Sequence, residues 1–210
     1  SSLMNQEEIT LIGKIRAVAN REGTEAVSLK NLHLNPDFPN DLLDKYFSSE
    51  DVLVEKILED ERRKFEEIFI DHDFDGYYDA IDILFTVGKE MSNKFYNLSP
   101  SVTHKYEIHY PEIYKKHIDE RINFIFGKIQ INLQKGISQG MYRDDVSVEL
   151  VARLYIRRLM DLHNIENFPP EKFSFDTLFN QMFESFVRSV ATEEGMKYYE
   201  KKKKAARLKH

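Results

Sequence analysis

Acidic residues with the spacing of a metal-binding loop lie between residues 71 and 82. Six residues match positions 1, 3, 5, 6, 9 and 12 of an EF-hand calcium loop: Asp71, Asp73, Asp75, Gly76, Asp79 and Asp82. Carboxylate oxygens in this order are suited to Ca²⁺. However, position 12 is Asp82 where a bidentate Glu is expected, and position 8 is the bulky Tyr78. The segment is therefore either a calcium loop or an acidic loop between two helices, and the sequence favours the second.

The remaining reactive residue types form no catalytic arrangement. The chain contains no cysteine, which excludes disulfides, thiolate catalysis and cysteine-rich zinc sites. His104 and His109 are five residues apart, a spacing that does not turn both rings toward one metal ion on a helix. There is also no GxSxG motif, P-loop or dinucleotide fingerprint. We therefore expect no enzymatic activity, no cofactor and no metal centre of these kinds.

Composition limits the class of protein. The chain has 210 residues, of which 41% are hydrophobic, enough to fill real cores. No segment has the roughly eighteen consecutive apolar residues of a membrane span, and Glu7 and Glu8 stand where a signal peptide would be basic. We expect a cytoplasmic protein with no membrane contact. The net charge of −6 argues against a general affinity for nucleic acid.

Apolar residues recur every three or four positions along most of the chain, which predicts an all-α fold. The opening helices are predicted over 6–21, 28–34 and 39–46, with a fourth that begins after a Ser48 or Ser49 cap and runs to about residue 70. Further helices are predicted over 77–96, from Pro111, and over 118–139, 147–163 and 175–190. The Lys-rich run from Lys197 to Lys209 is expected to be solvated and frayed, with a nucleic-acid-binding arm as the alternative.

The opening helices carry a motif that spans residues 27–53. It reads Val27-Ser28-Leu29, Leu32-His33, Asp37-Phe38-Pro39 and then Leu43-Asp44-Lys45-Tyr46-Phe47-Ser48-Ser49-Glu50-Asp51-Val52-Leu53. This order, without a gap, resembles the N-terminal helix-turn-helix domain of the TetR family of transcriptional regulators. The family's hydrophobic framework is present throughout.

A second match lies in the C-terminal half. Tyr110-Pro111-Glu112, Gly136-Ile137-Ser138-Gln139-Gly140-Met141-Tyr142-Arg143 and Ala191-Thr192-Glu193-Glu194-Gly195 resemble segments of a TetR subgroup. The resemblance implies an N-terminal three-helix helix-turn-helix domain, 1–50, and a larger helical effector-binding and dimerisation domain, 51–210. It also implies a homodimer that binds operator DNA and releases it when a small molecule occupies the C-terminal domain.

Four residues are candidates for DNA contact in this register: Ser28, Asn40, Lys45 and Tyr46. Each has a structural alternative, because Ser28 can cap a helix, Asn40 and Lys45 can be ordinary surface, and Tyr46 can pack on the fourth helix. Asp44 and Glu50 occupy positions where the family usually has a phosphate-contacting Tyr and Lys. Residues 1–50 hold five Lys or Arg against eight Asp or Glu, a net of −3 that makes operator DNA a doubtful partner.

The C-terminal helices supply the other candidates. An aromatic pocket for an apolar or amphipathic effector would include Phe74, Tyr78, Ile81, Phe85, Tyr96 and Phe124, unless these residues fill the core. The dimer interface would include Leu154, Phe179, Phe183, Phe186 and Val190, unless the last four pack inside one chain. We interpret the sequence as a TetR-like repressor. The alternative is a diverged dimer of the same fold that no longer binds DNA and acts as a ligand-binding or protein-interaction module.

Overall fold

The computed structural model describes residues 4–70, 78–95, 101–162, 164, 166–169 and 171–208, and every regular element longer than a single bridge within these ranges is helical. The α-helices are α1 Gln6–Glu22, α2 Leu29–Leu34, α3 Asn40–Tyr46, α4 Glu50–Ile70, α5 Ala80–Phe95, α6 Ser101–His109, α7 Pro111–Ser138, α8 Val148–Asp161, α9 Phe175–Val190 and α10 Glu193–Leu208. A 3₁₀ turn covers Thr24–Val27. The predicted all-α fold class is confirmed. No helix in the described ranges has both the length and the apolarity to cross a membrane.

Local capping explains where several helices begin. The Ser28 hydroxyl accepts a hydrogen bond from the Asn31 amide, and the Ser49 hydroxyl accepts one from Val52, at the starts of α2 and α4. Ser147 caps α8 through the amide of Leu150. α1 ends at Gly23, which has a φ of 92° that a side chain would disfavour. These helix boundaries were predicted to within two residues, with Ser48 or Ser49 as the cap of α4, because caps and breakers act within a few residues of sequence.

The chain divides into two compact units. The first comprises 1–66 and 99–121, and the second comprises 67–98 and 122–210. This division differs from the functional boundary predicted at residue 50, because the first unit also takes most of α4, all of α6 and the start of α7. Its core is formed by one apolar cluster from α1–α4 and α6: Leu11, Ile12, Ile15, Val27, Leu32, Phe38, Leu43, Phe47, Leu53, Ile57, Leu58 and Tyr106.

The second unit is built around a core from α5, α7, α8, α9 and α10. Its buried members are Ala80, Ile81, Leu133, Tyr142, Ala152, Tyr155, Phe186, Val187, Val190 and Tyr199. The Phe186 ring lies edge-on to Tyr155, with 4.6 Å between ring centroids, and to Tyr142 at 6.0 Å.

The glycines of the second sequence motif form a close-packed junction in this unit. Tyr142 is 1% exposed, and its hydroxyl donates to Oδ1 of Asn132 at 2.8 Å. A Cβ atom on Gly136 would lie 2.0 Å from the Tyr142 ring, and one on Gly195 would lie 2.0 Å from the Met141 carbonyl oxygen. The amide of Thr192 donates to that same carbonyl at 2.9 Å. The motif therefore holds the α7–α8 loop against the junction of α9 and α10.

Three helix predictions need correction. α6 was not predicted, and α7 is one helix where two segments, from Pro111 and from 118, were expected. No glycine or proline lies between Pro111 and Gly127, so nothing in the sequence ends the helix there. The expectation of a frayed Lys-rich run is wrong, since α10 continues to Leu208 with Tyr199 only 6% exposed.

Candidate nucleic-acid interface

Helix α3 presents a polar face to solvent and an apolar face to the first core. Leu43 is fully buried and Tyr46 is 9% exposed, whereas Asn40, Asp41, Asp44 and Lys45 are exposed. The predicted contact residue Asn40 therefore lies on the accessible face, at the first turn of the helix. Ser28 is half-buried and caps α2, which is the alternative role that the sequence analysis gave for it.

Glu7 of α1 binds two of the predicted DNA-contacting residues. Its carboxylate oxygen accepts hydrogen bonds from the Tyr46 hydroxyl and from Lys45 Nζ, the latter at 3.0 Å. The hydrogen bonds from Tyr46 and then Lys45 lower the pKa of Glu7. The cation that would meet a phosphate is thus already paired within the chain. Sequence reasoning missed Glu7 because it lies 38 residues from Lys45.

Glu50 also acts through an internal contact. Its Oε2 accepts a hydrogen bond from the backbone amide of Leu29 at 2.8 Å, at the start of α2. The first amides of a helix lack intrahelical partners, so a carboxylate there stabilises α2. The acidic residue at this position is therefore part of the fold of the helix-turn-helix.

Asp44 pairs with His33 between α3 and α2. The His33 ring reaches the Leu29 carbonyl oxygen through Nδ1 at 2.7 Å and the Asp44 carboxylate through Nε2 at 2.9 Å. Both partners are acceptors, so both ring nitrogens must carry a proton for both bonds to form. The Asp44 hydrogen bond, followed by that to Leu29, raises the pKa of His33 above its ordinary value of 6.5.

This pair predicts a pH-dependent link between α2 and α3. Because the pKa of His33 is raised in the folded state, its contribution to stability is complete below 6.5 and is lost as pH rises through the folded-state pKa. We expect the thermal unfolding midpoint to decrease as the pH is raised from about 6 to about 8. The His33→Gln variant should lose this part of the pH dependence. An identical pH profile for both proteins would contradict the prediction.

An open groove of about 330 Å³ adjoins this surface. Its apolar lining comes from Leu11, Pro39 and Leu42, and its polar lining includes Glu7, Lys14 and Asp37. The groove lies between α1 and the start of α3, where Pro39 and Leu42 flank the first turn of α3.

A buried ionic network ties α1, α4 and α7 together within the first unit. Asp60 is fully buried and accepts hydrogen bonds from Arg16 at 3.0 Å and Arg63 at 2.8 Å. Arg62 donates to Nδ1 of His117 at 2.7 Å. Burial, and then the charges of Arg62 and Arg121, lower the pKa of His117 to about 3, so the ring stays neutral and accepts this bond. The network fixes the helix-turn-helix core to α4 and α7.

The predicted pocket residues do not form one set and divide into four groups. Phe74 and Tyr96 lie outside the described residues, and Tyr78 is 62% exposed. Ile81 is fully buried in the second core, where Phe85 lies against Tyr199 with 5.5 Å between ring centroids. Phe124 instead contacts Phe69 edge-on at 5.3 Å. The structure thus brings Ile81 and Phe85 into one cluster, and their role in effector binding stays a prediction.

The predicted dimer residues also differ in their exposure to solvent. Phe179, Phe186 and Val190 are buried inside the chain, and Phe183 is half-buried against Gly88 of α5. Leu154 is 54% exposed, and Leu150, one turn earlier on α8, is 57% exposed. Sequence reasoning missed Leu150, although its spacing of four from Leu154 places both on one face.

Part of the candidate calcium loop lies in the described chain. Asp79 accepts a hydrogen bond from the Ile81 amide at the start of α5, and Asp82 accepts from the Tyr198 hydroxyl and from Lys202. Asp71, Asp73, Asp75 and Gly76 lie outside the described residues. Among the residues with described positions, no group of three or more His, Asp or Glu is placed to hold a metal ion.

Comparison with known proteins gives a match in structure only. No family model and no curated protein matches the sequence. The solved SmeT–triclosan complex superposes with a TM-score of 0.68 at 12% identity, covering 90% of this chain and 93% of that one. The ketosteroid transcriptional regulator KstR2 of Mycobacterium tuberculosis gives 0.54 at 16% identity, covering 92% and 99%. Both have the TetR-family fold, which is therefore the fold of this chain.

Proposed function

We propose that this TetR-fold chain is a ligand-responsive transcriptional repressor that binds operator DNA as a homodimer. The observation that carries this proposal is the intact helix-turn-helix, in which α3 exposes Asn40 and Lys45 while Leu43 and Tyr46 fix it to the core. A helix held in this way can enter the major groove with its N-terminal residues toward the bases. The fold shared with a regulator solved with triclosan supports a small, largely apolar effector for the second unit.

The second candidate function is a dimer of the same fold that does not bind DNA. It is favoured by the internal pairing of the interface, in which Glu7 pairs with Lys45, Asp44 with His33, and Glu50 with the Leu29 amide. These pairings leave carboxylates at the surface that a phosphate would approach, which weakens its attraction to the head. The two candidates share the ligand-binding unit and differ in whether the head binds a polyanion.

A DNA titration separates these candidates. Fluorescence anisotropy of the full chain against duplexes from its own upstream region should show salt-sensitive, sequence-selective binding if it is a repressor. The Asp44→Asn, Glu50→Gln variant should raise affinity about tenfold at low salt, because it removes two negative charges and keeps oxygen acceptors for His33 and Leu29.

The matched control removes two charges elsewhere in the first unit. Glu55 and Glu112 are exposed, so Glu55→Gln with Glu112→Gln should change the affinity little. An absence of binding by the parent and by the Asp44→Asn, Glu50→Gln variant, even at low salt, would exclude DNA recognition by this head and select the second candidate.

The exposed face of α8 is the proposed dimer contact. On its opposite face Ala152 and Tyr155 belong to the second core and Ile156 is buried, which leaves Leu150 and Leu154 free to pack on a second copy. We expect Leu150→Glu with Leu154→Glu to weaken dimerisation at least about 100-fold, measured by sedimentation velocity. Leu34→Glu with Ile108→Glu, at two other exposed apolar positions, should leave the dimer intact. A dimer that survives the α8 change would place the contact elsewhere.

A further inference from the structure

Helix α10 concentrates positive charge in a chain that is acidic as a whole. Its residues 193–208 include six Lys or Arg and three Glu, whereas the full chain has 30 basic and 36 acidic residues. The helix packs on the rest of the second unit through Tyr199, and the centroids of the Tyr199 and Phe85 rings are 5.5 Å apart. The Tyr198 hydroxyl donates to Asp82 at 2.6 Å. These contacts fix which face of α10 looks outward.

The cations of α10 have two different environments. Lys202 pairs with Asp82 at 2.8 Å, and Lys203 pairs with Glu184 at 2.7 Å, so both contribute to holding the helix in place. Lys201, Lys204 and Arg207, which we call the outer stripe, are exposed. Within the described part of the chain, no ion pair or hydrogen bond joins the outer stripe to another side chain.

The outer stripe is regular in space. Its members are three residues apart, so they lie on one side of the helix and rise by about 4.5 Å per step. Duplex DNA carries one negative charge per about 1.7 Å of its axis, so three cations over about 9 Å can approach several phosphates together. The rigid backbone of α10 presents these charges together, without the ordering cost of a disordered basic tail.

The residues around the outer stripe favour nucleic acid over a lipid surface or a protein as its anionic partner. A helix that binds a lipid surface needs a free apolar face, but the large apolar residues Met196, Tyr198 and Tyr199 pack on the second core. A protein interface usually has an apolar centre, yet the residues beside Lys204 and Arg207 are the exposed alanines Ala205 and Ala206. Contacts to the phosphates of nucleic acid can be made by Lys and Arg side chains without an apolar face.

We propose that the outer stripe of α10 binds the phosphate backbone of duplex DNA without sequence preference. This contact uses no residue of α3. It supplies attraction that the head, with a net charge of −3 over residues 1–50, does not. Association with DNA would then depend on α10 for its salt-sensitive part, whatever α3 reads.

The proposal is tested by measuring the affinity of the full chain for a short duplex of scrambled sequence at a series of salt concentrations. The outer-stripe variant carries three changes together, Lys201→Gln, Lys204→Gln and Arg207→Gln. We expect it to lower the affinity at about 50 mM salt by tenfold or more, and to reduce the slope of log affinity against log salt by about 2 to 3. The control removes three exposed charges from scattered sites, with Lys89→Gln, Lys115→Gln and Lys172→Gln, and should keep most of the slope. Thermal melts of both variants should match the parent, because the altered side chains lie in solvent.

Three results would overturn the proposal. They are a parent that does not bind the scrambled duplex at low salt, an unchanged slope in the outer-stripe variant, and an equal loss in the control. Loss of binding to phosphatidylserine vesicles with DNA binding unchanged would assign the stripe to lipid instead. The test is independent of operator recognition: Asn40→Ala should remove any sequence preference without changing the slope on the scrambled duplex.

Discussion

Replacing Asp60 by Ala is expected to lower the free energy of unfolding by about 3 to 5 kcal/mol, a large part of the stability of a domain of this size. The carboxylate of Asp60 is fully buried between Arg16 of α1 and Arg63 of α4. Its removal leaves the Arg16 guanidinium, whose side chain is 9% exposed, without its charge partner in a place that water hardly reaches. Chemical denaturation followed by circular dichroism measures the loss.

A double variant distinguishes the cost of an isolated buried charge from the cost of lost packing. Asp60→Leu together with Arg16→Met removes the two most buried charges and keeps apolar volume, and it leaves Arg63, whose side chain is 30% exposed. We expect this variant to recover most of the loss. If Asp60→Ala unfolds at the same denaturant concentration as the parent, the ion pair does not hold α1 to α4. If the double variant is as unstable as the single one, the cost arises from packing and not from the isolated charge.

The second large effect is expected at Gly136. In Gly136→Ala the new methyl group would lie 2.0 to 2.6 Å from three ring carbons of Tyr142, a residue that is buried and hydrogen-bonded to Asn132. The ring must move or the helix must bend, and we expect a loss of about 3 kcal/mol. The thermal unfolding midpoint should fall by several degrees, by differential scanning calorimetry.

Gly127 on the same helix provides the matched control. A Cβ atom there meets nothing within 4 Å, so Gly127→Ala should stabilise α7 by about 0.5 to 1 kcal/mol. The same change on one helix is thus expected to have opposite signs at two positions. Adding Tyr142→Leu to Gly136→Ala should restore part of the loss by relieving the clash. Equal effects at Gly127 and Gly136 would show that helix propensity, and not the ring, controls both.

The sequence predicted those parts of the fold that depend on neighbouring residues. The Ser28 cap, a cap of α4 at Ser48 or Ser49, and the bounds of α1 and α8 to within two residues could be predicted, because these signals lie within a turn of the helices they delimit. The period of Phe175–Val190 gave α9 its bounds for the same reason. α6 was missed because its apolar residues follow no clear helical period, and its burial depends on Tyr106 reaching the first core.

The candidate interface was predicted less completely, because its chemistry depends on distant residues. Asn40 and Lys45 could be placed on α3 from their register, but the pairing of Lys45 with Glu7 joins α3 to α1. Glu50 could be identified as an acidic departure, yet its bond to the Leu29 amide spans 21 residues. Charge counts predicted that this head would repel DNA, and only the structure shows that these carboxylates also hold the helix-turn-helix together.

The packing of Gly136, Tyr142 and Gly195 affects how relatives of this chain can be recognised. Gly136 and Gly195 leave no room for a side chain at this junction, so a larger residue at either position would be selected against on folding grounds alone. A search seeded with the junction motif should therefore collect proteins that share this scaffold, whatever each of them binds.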